Sequence, residues 1–98
     1  MPTYVSLLKF TDQGIRNVRD TVERGDRTIE LAQEKYGGKV EVTYWTLGPY
    51  DIVVIFEAPD DESATGYLLE LGSLGNVRST TLRAYNREEM RGIIERLG

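Results

Sequence analysis

Thr46-Leu47-Gly48-Pro49-Tyr50-Asp51-Ile52-Val53-Val54-Ile55-Phe56-Glu57-Ala58-Pro59-Asp60 holds the tightest turn of the chain, its most apolar strand and the start of a helix. Gly48 supplies backbone freedom and Pro49 fixes one dihedral, so the pair punctuates two strand-like runs. Residues 52–56 are continuously apolar and mostly β-branched, the pattern of a central strand covered on both faces. Pro59 stops that strand, and Asp60 or Asp61 offers a helix N-cap.

Upstream, residues 3–10 alternate, with Tyr4, Ser6, Leu8 and Phe10 on one face and Val5, Leu7 and Lys9 on the other. Thr11-Asp12 is a capping pair. Ile15, Val18, Val22, Ile29, Ala32 and Tyr36 then recur at helical spacing, with Gly25 filling the one gap. This predicts a single amphipathic helix of about six turns, kinked at Gly25 and ended by Gly37-Gly38. Arg16/Asp20, Arg19/Glu23 and Glu23/Arg27 stand four residues apart and read as a solvated, ion-paired face. Arg24, beside the glycine, reads first as a snorkelling helix arginine, with a ligand contact as the alternative.

Residues 39–47 form the second strand of the pattern, with Val40, Val42 and Tyr44 on one face and Thr43, Trp45 and Leu47 on the other. With residues 51–57 it makes a hairpin. Downstream, Ala64, Leu68 and Leu71 face inward on a second helix ended by Gly72, Gly75 and Asn76. A fourth strand over 77–85 and a charged helix carrying Met90, Ile93, Ile94 and Leu97 complete the chain.

Strand, long helix, strand, strand, helix, strand is the split βαβ order of ferredoxin-like α+β domains, whose helices cover one face of an antiparallel sheet. Strand parity places Val5, Leu7, Val53, Ile55, Trp45 and Leu82 on the other face. That is too much apolar surface to leave wet, which predicts two sheets packed face to face as a dimeric α+β barrel.

Ninety-eight residues make one domain, 1–98. A net charge of −4 with interleaved charges argues against nucleic acid or an anionic membrane as partner. No stretch is apolar enough to span a membrane, and the start of the chain lacks a leader pattern, so a cytoplasmic protein is expected. Without His or Cys the chain cannot build a Ser-His-Asp triad, a thiolate nucleophile, a thiolate zinc site or a His-ligated haem. Acid–base chemistry falls to Asp, Glu, Lys or Tyr. Asp60-Asp61-Glu62 is explained by the helix dipole and capping, so neither a metal nor a cofactor is expected. Gly72-x-x-Gly75-Asn76 precedes a strand, whereas phosphate loops open helices.

The candidate ligand-binding residues are Lys9, Trp45, Tyr50, Asp51 and Arg78, in or beside the sheet cavity. Asp51 suits either a ligand amine or proton transfer, or hydrogen bonds to the hairpin's own amides. Lys9 and Glu57 are charges within apolar strands, so Glu57 or Glu41 is expected to pair with Lys9 or Arg78.

Gly48, Tyr50 and Asp51, with Lys9-Phe10-Thr11-Asp12-Gln13-Gly14 upstream and Ser73-Leu74-Gly75-Asn76 and Leu82-Arg83-Ala84 downstream, resemble the GYD domain family. Its members are small stand-alone proteins near the dimeric α+β barrel group, largely without an assigned activity. The Gly-x-Tyr-Asp hairpin is also similar to the effector-binding domain of leucine-responsive regulators, which assembles through its sheets and binds amino acids between subunits. These resemblances imply a non-catalytic small-ligand-binding or assembly module acting as a homo-oligomer. The alternatives they imply are a cofactor-free oxygenase or isomerase on a small aromatic substrate, and a stand-alone amino-acid-binding regulatory module. A purely structural oligomer with a filled barrel is a third possibility.

Overall fold

The alternating residues of the first strand, β1 (Thr3–Phe10), put Tyr4, Ser6 and Leu8 in the interior and leave Val5 and Leu7 half-buried on the far side. In the computed structural model, which describes residues 1–98, β1 is central to a four-stranded antiparallel sheet. Its partners are β3 (Ile52–Glu57) and β4 (Val77–Ala84), and β2 (Lys39–Trp45) closes the other edge in the order β2-β3-β1-β4. Every neighbouring pair is antiparallel. This is the split βαβ topology of ferredoxin-like domains. Ile52 and Phe56 of the β-branched run lie buried against the helices, while Val53 and Ile55 share the open face with Val5 and Leu7.

Thr11 caps the first helix, α1 (Asp12–Arg16), by accepting from the Gly14 amide. The predicted six-turn helix is not continuous. After Asn17 the chain makes a 3₁₀ turn over Val18–Asp20 and only then enters α2 (Thr21–Tyr36), so the break lies at 17–20 and not at Gly25. A side-chain cap braces it: the Arg24 guanidinium donates to the Gly14 carbonyl (3.4 Å) and to the Asn17 carbonyl (2.6 Å), which also accepts the Asp20 amide of the 3₁₀ turn at 3.1 Å. None of the expected pairs Arg16/Asp20, Arg19/Glu23 and Glu23/Arg27 forms an ion pair. The first two span the break and lose helical register there.

Gly37, at φ 65°, supplies the left-handed residue that ends α2. Helix α3 (Asp61–Ser73) starts at Asp60, whose carboxylate accepts from the Ser63 amide at 2.7 Å and is held below its usual pKa by that bond. The core is the layer between these helices and the sheet. Phe56, only 1% exposed, stacks on Tyr4 at 5.2 Å and meets the edge of Tyr67 at 5.3 Å, with Ala32, Ala64 and Leu71 around them. Removing such a ring from water stabilises by about 1.5–3 kcal/mol.

The last helix, α4 (Arg87–Glu95), begins with a capping box between Asn86 and Glu89 but packs extensively on no other element. Met90, Ile93, Ile94 and Leu97 stay exposed along it. The projecting helix lengthens the molecule to 52 Å and gives a radius of gyration of 14.6 Å, against about 13 Å for a compact chain of this size. No helix is long and apolar enough to cross a membrane.

Candidate functional site

Three of the five sequence-predicted residues gather at the hairpin turn. Lys9 Nζ lies 5.5 Å from the centre of the Tyr50 ring, a cation–π contact. Asp51 follows Tyr50 and fastens the turn to β1: its Oδ2 accepts from the Phe10 amide at 2.8 Å and its own amide donates to the Leu8 carbonyl at 2.8 Å. Its carbonyl also accepts from the Thr46 amide at 2.8 Å. The carboxylate therefore serves a backbone amide, but one on β1 and not one of the hairpin's own amides, the local role expected of an Asp in a turn. Arg78 stands opposite Lys9 in the β1–β4 register but spends its guanidinium on the carbonyls of Gly72 and Val77.

The expected pairing of Glu57 or Glu41 with Lys9 or Arg78 does not occur. Glu57 sits opposite Thr3, at the far end of β1 from Lys9, and Glu41 pairs with Lys39 at 3.6 Å. The register of the sheet sets these distances.

Trp45 is on the other side of the sheet. A β-bulge between Val40 and Val42 places two residues of β2 against one of β3, which reverses side-chain parity beyond it. Val42 and Tyr44 thereby join the open face, and Thr43 and Trp45 turn toward the helices. The indole reaches α2, where Nε1 donates to Thr21 Oγ1 at 3.0 Å and the ring lies beside Gly25, with room for a methyl group at 3.7 Å. Without Trp45 the open face still presents Val5, Leu7, Val42, Val53 and Ile55, with Leu82 and Tyr44 51% and 61% exposed.

Trp45 is one wall of a cavity of about 350 Å³ between α2, α3 and the sheet. The space exists because Ser6, Gly25, Thr28 and Thr43 are too small to fill the layer, while Phe56, Leu68 and Leu71 make the apolar floor and sides. Three polar side chains of the wall are already paired: Ser6 with Thr81 at 2.7 Å, Thr28 with the Gly25 carbonyl, and the Tyr67 hydroxyl with the Thr28 carbonyl at 3.0 Å. Burial pushes the Tyr67 phenol above its ordinary pKa, despite that hydrogen bond. At the rim, Glu70 is tied to Lys35 Nζ (2.8 Å) and the Tyr36 hydroxyl (2.6 Å), and these bonds hold its carboxyl below the usual range. Both shifts lead away from neutral pH, so neither group is tuned as a general acid or base there. Only the pairing of small residues at positions 25, 28 and 43 hinted at this cavity in the sequence, and helical spacing alone marks such residues as mere core.

The fold and these features define a ferredoxin-like α+β domain with an apolar pocket under its helices and an uncovered apolar sheet face. The chain belongs to the GYD domain family, whose model matches residues 4–94. It is similar to a protein of Thermus thermophilus named glutamine synthetase and cystathionine beta-lyase binding protein. The two are 34% identical over 84 residues, which cover 86% of this chain and 88% of that protein. No solved structure matches the chain.

Proposed function

We propose that this protein is a non-catalytic binding module that assembles through its open sheet faces and, as an oligomer, binds a partner enzyme. The carrying observation is the uncovered sheet face, where Val5, Leu7, Val42, Val53 and Ile55 form one apolar surface flanked by Tyr44 and Leu82. Its occupant is a second copy of the chain. The molecule exposes 6701 Å², whereas a compact monomer of this size exposes roughly 5,700 Å². The excess, about 1,000 Å², is shared between the open sheet face and the projecting α4, and is of the order that each subunit of a stable pair hides. Partner binding is supported by the relative whose name states that it binds glutamine synthetase and cystathionine beta-lyase. The engagement of Asp51 by backbone amides favours binding over chemistry.

Light scattering after size exclusion, with Leu7→Lys/Val53→Lys beside the parent, tests the assembly. The expected result is an oligomer for the parent and a folded species of single-chain mass for the variant. A parent chain that stays monomeric at tens of micromolar would refute assembly. Biolayer interferometry against purified glutamine synthetase and cystathionine beta-lyase tests the second half. Saturable binding to at least one is expected, and no binding to either refutes that part.

A further inference from the structure

We infer that the cavity between α2, α3 and the sheet is a binding site for a small carboxylic acid with an apolar body. Its interior is mostly apolar, and Ser6, Thr28 and Tyr67 of its wall are already paired, so it offers an entering ligand area but few neutral hydrogen bonds. A volume of about 350 Å³ falls in the range of small-molecule sites. Selectivity then rests on the three ionic side chains at the wall: Arg24, Arg27 and Glu70.

Glu70 is neutralised by Lys35 and further engaged by Tyr36, so it does not call for a ligand cation. Arg24 has no acidic partner and caps the end of α1 through backbone carbonyls. Arg27, one turn along α2, makes no ion pair and no hydrogen bond within the chain, although acids outnumber bases in it, 16 to 12. The cavity thus has two arginines without counter-charge among its lining residues, Arg24 bonded to carbonyls and the exposed Arg27 with its guanidinium unengaged. A guanidinium fork matches the plane of a carboxylate and binds it with charge-assisted bonds. The acid's apolar body lies against Phe56, Leu68 and Leu71, and its carboxylate meets Arg27.

Trp45 is the sole tryptophan and part of the wall, so its fluorescence reports occupancy directly. The test titrates 3-phenylpropionate and octanoate into the intact protein, with the corresponding amides as uncharged probes of the same shape. The acids are expected to change Trp45 emission saturably and to raise the melting temperature, with each amide at least about tenfold weaker for want of the charge-assisted bond. Arg27→Met keeps the apolar stem and should weaken the acids, but not the amides, by a similar factor. Thr28→Phe fills the chamber and should abolish both while leaving the melting temperature equal or higher. Amides binding as tightly as acids, Arg27→Met binding the acids unchanged, or no fluorescence response at millimolar acid would each overturn the inference. Assembly through the open face is measured separately by mass, so either result leaves that outcome distinct.

Discussion

Replacing Gly14 with alanine sets helix propensity against a close backbone approach. Gly14 lies inside α1, and propensity alone credits alanine with up to about 1 kcal/mol. The structure opposes this, because a Cβ on Gly14 would stand 2.0 Å from the Asn76 carbonyl oxygen. A carbon and an oxygen approach to about 3.3 Å, so α1 must withdraw by about 1 Å or more. It is held there by four hydrogen bonds to residues 74–76: Thr11 amide to Asn76 carbonyl (3.0 Å), Thr11 hydroxyl to Gly75 carbonyl (2.5 Å), and Gln13 Nε2 to the Leu74 carbonyl and Asn76 Oδ1 (3.0 Å each). A retreat of that size takes them past bonding distance. At about 0.5–1.5 kcal/mol each, the set outweighs the propensity gain, and a net loss of about 2 kcal/mol is expected. Gly25→Ala is the matched control, since its Cβ would meet Trp45 at an ordinary 3.7 Å and should stabilise by about 0.5–1 kcal/mol. Urea unfolding followed by circular dichroism measures both. Gly14→Ala as stable as the parent would refute the close approach of α1 to the 74–76 turn.

The remaining predictions concern the turn and the buried phenol. Asp51→Ala leaves the Phe10 amide without its acceptor and should cost about 1–3 kcal/mol in a urea melt, whereas Asp51→Asn keeps an acceptor and should cost less. Equal losses would show that charge, not the hydrogen bond, is what matters there. Tyr4, buried and donating to Asp61 at 2.5 Å, has its pKa pushed from 10.0 up to about 12, first by burial and then by that carboxylate. Its contribution is complete below pH 10 and is lost as pH rises toward about 12, because unfolding releases a proton across that interval. Alkaline denaturation followed by tyrosinate absorbance should therefore be shallower in Tyr4→Phe between those values, and an unchanged slope would exclude Tyr4 as the linked group.

The candidate site divides at Trp45. Tyr50 and Asp51 sit together because both flank the Gly48-Pro49 turn, and a turn brings its own flanks together, whereas Lys9 of β1 reaches Tyr50 only through the register that pairs Leu8 with Ile52. The cavity could not be read from the sequence, since its walls come from α2, α3 and all four strands, far apart in the chain.

By itself the sequence determined the order of strands and helices, the helix starts at Thr11 and at Asp60 or Asp61, the stop at Gly37-Gly38, and the faces of β1 and β3. Those features rest on local chemistry: alternation at period two, short polar side chains that cap amides, and a glycine that accepts positive φ. The tertiary structure decided where the first helix breaks, a point braced by Arg24, which folds back on carbonyls ten and seven residues earlier. It also decided the face of Trp45. Val40 and Val42 are both apolar and both fit a pleated surface, so alternation cannot register the extra residue between them. A bulge is defined by the partner strand, and only the folded sheet supplies one.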